Sequence, residues 1–93
     1  MAHPDIPVAA EAVDMSATDH DFTRRVHAIR AEAAGTFYAT LRGEGSTAES
    51  SLPYVVSAGD IVPGDFASVE RATSDAAFQN ATTLKGLILP SRQ

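Results

Sequence analysis

The chain has 93 residues, no cysteine, and seven Lys and Arg against twelve Asp and Glu, for a formal charge of −5. That size predicts one domain with a thin core, burying about 60–65% of its unfolded surface, and the absence of cysteine excludes disulfides and thiolate metal centres. The acidic balance argues against nucleic acid and anionic membranes as partners; no apolar run approaches a membrane span, and the N-terminus lacks the basic flank and apolar stretch of a signal peptide, so a soluble chain outside Sec-type export is expected.

Residues 1–18, MAHPDIPVAAEAVDMSAT, contain Asp5, Glu11 and Asp14 and no Lys or Arg. Pro4 and Pro7 keep the start extended, and the weak alternation of Ile6, Val8, Ala10 and Ala12 reads as an extended N-terminal arm. Such an arm either frays or lies across a neighbouring subunit. Residues 19–93 are expected to form a single small β domain.

Asp19-His20-Asp21 opens that domain. One imidazole and two carboxylates are ligands for zinc or manganese, but adjacent residues on an extended chain point in opposite directions. A turn or cap is therefore the better reading.

Residues 22–42, FTRRVHAIRAEAAGTFYATLR, carry two patterns. Phe22, Val26, Ile29, Ala33, Phe37 and Leu41 recur at helical spacing. Against a helix stand Gly35, which costs about 1 kcal/mol in a helix interior, and the β-branched and aromatic residues after it. On the strand reading, Glu32–Gly35 turns the chain, Phe37, Ala39 and Leu41 line one face, and Tyr38, Thr40 and Arg42 the other.

Gly43–Ser51, GEGSTAESS, is a polar loop and an exposed tip. It lacks the lysine and following helix of a phosphate-binding loop. Leu52–Ala72 is the most strand-like stretch. Tyr54-Val55-Val56 is an apolar run, Ala58-Gly59-Asp60 a turn, Ile61-Val62 a second run, Pro63-Gly64-Asp65 a second turn, and Phe66–Ala72 extended again. Thr73–Thr83 is polar apart from Phe78 and reads as a short helical turn or a long connection. Asn80-Ala81-Thr82 fits the glycosylation pattern but is discounted without a signal peptide. Leu84–Leu89 is a final apolar strand ended by Pro90, with Ser91–Gln93 as a tail.

No catalytic constellation is recognisable. His3, His20 and His27 fall in no metal-ligand spacing, no serine sits in a nucleophile elbow, the carboxylates are scattered singly, and Arg24-Arg25 is too small a patch for nucleic acid. His27, beside Arg25 and near Arg30, is expected on a solvated strand face. No catalytic, cofactor-binding or metal residues, and no cofactor, are therefore assigned.

Four stretches in order carry a family likeness: DHDFTRRVHAIRAEAAGTFYATLRG (19–43), VSAGDIVPGDF (56–66), VERAT (69–73) and LKGLIL (84–89). Together they resemble the small spike-base proteins of alphaproteobacterial tailed phages and the related gene transfer agents, over roughly Asp19 to Leu89. The resemblance implies an all-β fold and places the Ala-Ala-Gly at a hairpin turn. The expected fold is thus a small β-sandwich or barrel-like module of about five to seven strands, with a core of Val26, Phe37, Ala39, Leu41, Val55, Ile61, Phe66, Val69, Leu87 and Leu89. It also implies a structural virion protein rather than an enzyme: the base of a capsid spike or a capsid decoration subunit, assembled in the bacterial cytoplasm. Such a subunit forms a cyclic homo-oligomer, docks onto a capsid or tail protein and receives a spike fibre protein. Two other classes remain: a small regulatory or antitoxin-like protein with a helix over 22–42, and an accessory subunit of an enzyme complex.

Overall fold

The computed structural model describes residues 9–42 and 51–88. Eight strands are present among them: β1 (Ala9–Ala12), β2 (His20–Asp21), β3 (Ala28–Ala31), β4 (Gly35–Leu41), β5 (Ser51–Val56), β6 (Ile61–Pro63), β7 (Phe66–Glu70) and β8 (Leu84–Ile88). They form two four-stranded antiparallel sheets, β1-β8-β3-β6 and β2-β7-β4-β5. The chain is all-β, as expected, and builds a small sandwich.

The pairing has a simple rule. β4 pairs with β5, β3 with β6, β2 with β7, and β1 with β8. The chain is thus one long hairpin with its tip between β4 and β5. Rolling that hairpin adds the β3·β8 and β4·β7 contacts and distributes the strand pairs alternately between two sheets. This is the jelly-roll order.

Strand parity explains most of the core; on β7, where Phe66 and Val69 lie three apart, a register shift between Thr40 and Leu41 brings both inward. Ile29 and Ala31 on β3, Phe37 and Ala39 on β4, Phe66 and Val69 on β7, and Leu84 and Ile88 on β8 are all buried between the sheets. Phe37 stacks on Tyr54 at 5.4 Å, and Phe78 and Phe66 meet this pair edge-on at 5.7 and 5.4 Å. Offset and edge contacts of this kind add to what area burial alone supplies. Two glycines make room for aromatic rings. A Cβ on Gly86 would lie 2.6 Å from Phe22 and 2.7 Å from Val26, and one on Gly35, whose φ is +152°, would lie 2.9 Å from Phe78.

Several expectations are corrected. The stretch 22–42 holds two strands and no helix, but they are not a hairpin: β3 and β4 lie in different sheets, and the bend at Glu32–Ala34 carries the chain from one to the other. Residues 9–15 are not a detached arm. β1 pairs with β8, and Val13 and Met15 are fully buried. Val55 and Ile61 are outside the core, because Val56 and Val62 take the inward positions of β5 and β6. Leu41 and Leu87 are half-buried, and Leu89 lies outside the described residues. β7 ends at Glu70, where Arg71 begins a turn. The segment 73–83 contains a 3-10 turn, Ala76–Phe78, that inserts Phe78 into the core. The polar tip falls on residues 43–50, outside the described residues; Ser51 opens β5.

Candidate interaction surface

The two lateral sides of the sandwich differ in chemistry. One is closed by β1 and β2. Here Glu11 occupies an inward position opposite Gly86, on an edge strand. Its carboxylate accepts the Thr23 hydroxyl at 2.8 Å and the Thr23 backbone N–H at 3.1 and 3.2 Å. His20 Nε2 lies 2.7 Å from Glu11 Oε2, and His20 Nδ1 lies 3.3 Å from the Asp14 backbone N–H. The tautomer satisfying both contacts carries its proton on Nε2 and donates it to Glu11. Burial disfavours the Glu11 charge, but the Thr23 amide and hydroxyl and the His20 ring outweigh it, holding the carboxyl below its ordinary range.

The Asp19-His20-Asp21 triplet does not converge. Asp19 accepts the Arg71 backbone N–H at 2.8 Å, His20 turns inward to Glu11, and Asp21 is exposed. Among the described residues, no group of three His, Cys, Asp or Glu side chains is placed to hold a metal ion. Arg25 binds Asp65 Oδ2 at 3.0 Å, and Arg42 binds the same carboxylate through Oδ1 at 3.2 Å, so Arg25 is held in a surface ion pair. His27 is half-buried rather than solvated, and its Nε2 has no hydrogen-bond partner among the described residues. Asn80 is engaged in its own turn, accepting from Thr82 and donating to the Ala77 carbonyl.

The opposite side is closed by β5 and β6, joined by the turn Ser57–Asp60. It is apolar. Val55 is 82% exposed, Ile61 53% and Leu52 48%, and Pro53 and Pro63 are exposed beside them. The segment 51–64, SLPYVVSAGDIVPG, contains a single charged residue, Asp60. Its carboxylate accepts the Ser57 N–H at 2.8 Å within the turn.

Both prolines sit where a further strand would bind. Thr36 N–H and Tyr38 N–H donate to Asp75 and Ser74, away from β5. Backbone direction alternates along a strand, so Phe37 and Ala39 face β5, opposite Tyr54 and Leu52. Pro53 and Val55 then face the free edge. On the other sheet, Ala31 N–H donates to Asp60 and Gly64 N–H to the His27 carbonyl. Ile29 and Val62 therefore face each other, and Ile61 and Pro63 face outward. Each free edge thus lacks an N–H in its middle or at its end, a common protection against strand addition.

This surface was not foreseen from sequence, which assigned Val55 and Ile61 to the core. The signal was present in the prolines: Pro53 precedes Val55 by two, and Pro63 follows Ile61 by two. A proline at the same parity marks the solvent edge of a strand.

Comparison with protein-family models, curated proteins and solved structures gives no match.

Proposed function

We propose that this chain is a structural subunit of a phage or phage-like particle: the base of a capsid spike or a capsid decoration protein. It works by binding alone, without catalysis or cofactor. Copies assemble as a cyclic homo-oligomer, dock on a capsid or tail protein and receive a spike fibre. The observation that carries the reading is the strand order β1-β8-β3-β6 over β2-β7-β4-β5, since jelly rolls serve as viral capsid domains, as well as lectins and cupins. That support is an analogy of fold, and it runs alongside the sequence likeness to spike-base proteins. The helix on which a regulatory reading depended is absent from 22–42, where Gly35 opens a strand.

The test is the composition of particles purified from the producing cells. The chain is expected in fixed ratio to the capsid protein, and its deletion is expected to give particles without the spike or decoration. Complete particles that lack the chain, with the chain left in the soluble fraction, would refute the reading.

A further inference from the structure

We propose that copies of the chain stack head to tail, the outer face of sheet β1-β8-β3-β6 of one copy lying on the outer face of sheet β2-β7-β4-β5 of the next. The inference deepens the self-assembly in the preceding reading and rests on that part of it alone. It stands on the opposite charge of the two outer faces, which strand parity and register define. On the first sheet Leu84, Gly86 and Ile88 point inward on β8, and Ile29 and Ala31 on β3, so Lys85, Leu87, Ala28 and Arg30 point outward. Ala10, Leu87, Ala28 and Pro63 form one apolar row across the sheet, and Arg30 stands opposite Lys85. No outward position of these strands is acidic, since Glu11 is turned inward to His20.

On the second sheet Val69 points inward on β7, and Phe37 and Ala39 on β4. Glu70, Ser68 and Tyr38 therefore point outward, with Asp21 opposite Ser68 and Tyr38 between Glu70 and Pro53. No residue of these strands is Lys or Arg. Each face also sets like charges side by side: Arg30 and Lys85 are direct cross-strand neighbours, and Asp21 is diagonal to Glu70 across β2 and β7. Neighbours of this kind destabilise an isolated sheet. Glu32 offsets Arg30 through a surface pair at 2.6 Å, which leaves further guanidinium donors free. Lys85, Asp21 and Glu70 make no ion pair among the described residues.

The chain thus carries on one face the complement of the other, and this selects a second copy as the occupant. Laying the first face on the second sets Lys85 and Arg30 against Asp21 and Glu70, and the apolar row against Tyr38 and Pro53. Pairing the first face with itself, or the second with itself, would oppose like charges. The contact is therefore heterologous, and each copy uses both faces. Such an assembly closes into a ring where the rotation per step closes, and otherwise grows as an open stack.

Sedimentation of the full chain at up to about 1 mM in low salt should show species heavier than the 9.7 kDa of one copy. Raising the salt from about 0.01 M to about 1 M should dissociate them, because exposed charges are screened. Lys85→Glu reverses charge on the first face, and Asp21→Lys with Glu70→Lys reverses it on the second. Each variant alone should associate more than about tenfold more weakly, with an unchanged far-UV spectrum. Mixing the two variants should restore association, since every intact and every reversed face then finds its opposite. Association that survives in either variant, that ignores salt, or that does not return on mixing overturns the contact while leaving self-assembly standing. A wild-type chain that stays monomeric to about 1 mM in low salt overturns both. Neither result bears on particle composition, which tests the virion reading independently.

Discussion

Glu11 and His20 join the two sheets across their shared edge: one stands on β1, the other on β2, and 2.7 Å separates Glu11 Oε2 from His20 Nε2. The pair closes the polar side of the sandwich, with Phe22 against the His20 ring at 5.0 Å.

Acid should weaken this closure. Glu11 titrates below its ordinary value of 4.5 in the folded chain, despite the opposing effect of burial, because Thr23 and His20 bond its charged form. A carboxyl with a depressed folded value binds fewer protons folded than unfolded, so its stabilisation is present above 4.5 and is lost as pH falls through the folded value. The urea midpoint should therefore drop on acidification, and Glu11→Gln should lower the midpoint at neutral pH while flattening that acid limb. An acid limb of unchanged steepness in Glu11→Gln would refute the assignment.

Gly86→Ala should be the costly glycine substitution in β8. Its Cβ would meet Phe22 and Val26 at 2.6 and 2.7 Å, and both are core side chains with little freedom to move. Overpacking of this kind costs about 1–3 kcal/mol, read as a lower urea midpoint with the m-value unchanged. Phe22→Leu in the same chain should recover part of the loss.

Met15→Ala tests whether the residues beyond β1 belong to the fold. Met15 is fully buried, and its carbonyl accepts the Arg71 side chain at 2.8 Å. Truncation should cost about 2–5 kcal/mol, where a detached arm would show no change in thermal midpoint.

Ser74→Ala should leave two backbone groups unpartnered. The Ser74 hydroxyl accepts the Tyr38 N–H at 2.9 Å and donates to the Glu70 carbonyl at 2.5 Å. Loss of both is worth about 1–3 kcal/mol. Hydrogen exchange at the Tyr38 amide should rise first.

Restoring the missing edge donors should change solubility more than stability. Pro53→Thr with Pro63→Val gives both free edges a continuous row of N–H groups. The expected outcome is a melting point shifted by little and faster aggregation on agitation, followed by thioflavin fluorescence. Equal aggregation rates would show that the prolines do not guard these edges.

The legible parts of the fold were those where strand parity and punctuation agreed. Gly35 followed by Phe37, Ala39 and Leu41 marks β4, and Ala58-Gly59-Asp60 marks the turn between β5 and β6. The helical spacing of Phe22, Val26 and Ile29 misleads because these residues enter the core from a bend and a strand rather than from one face of a helix. In Tyr54-Val55-Val56 three apolar residues in a row leave the parity undetermined, and the inward choice of Val56 depends on pairing with Gly35. The hairpin over Glu32–Gly35 failed for a different reason. A local turn looks the same in sequence whether the chain returns to its own sheet or crosses to the facing one, and that decision belongs to the distant strands β6, β7 and β8. The same distance hid β1, whose alternation of Ala and Glu acquires meaning only beside β8.

The nesting of pairs sets an order in time. β4 and β5 are near neighbours in the chain, whereas β1 pairs with β8, far along the chain, with Ala9 opposite Ile88. A ribosome therefore releases β1 long before its partner exists, and Val13 and Met15 wait in water until β8 has been made. Contacts of such long sequence separation close slowly. The nascent chain is most exposed to misassociation at β1, and loss of β8 would strip β1 as well.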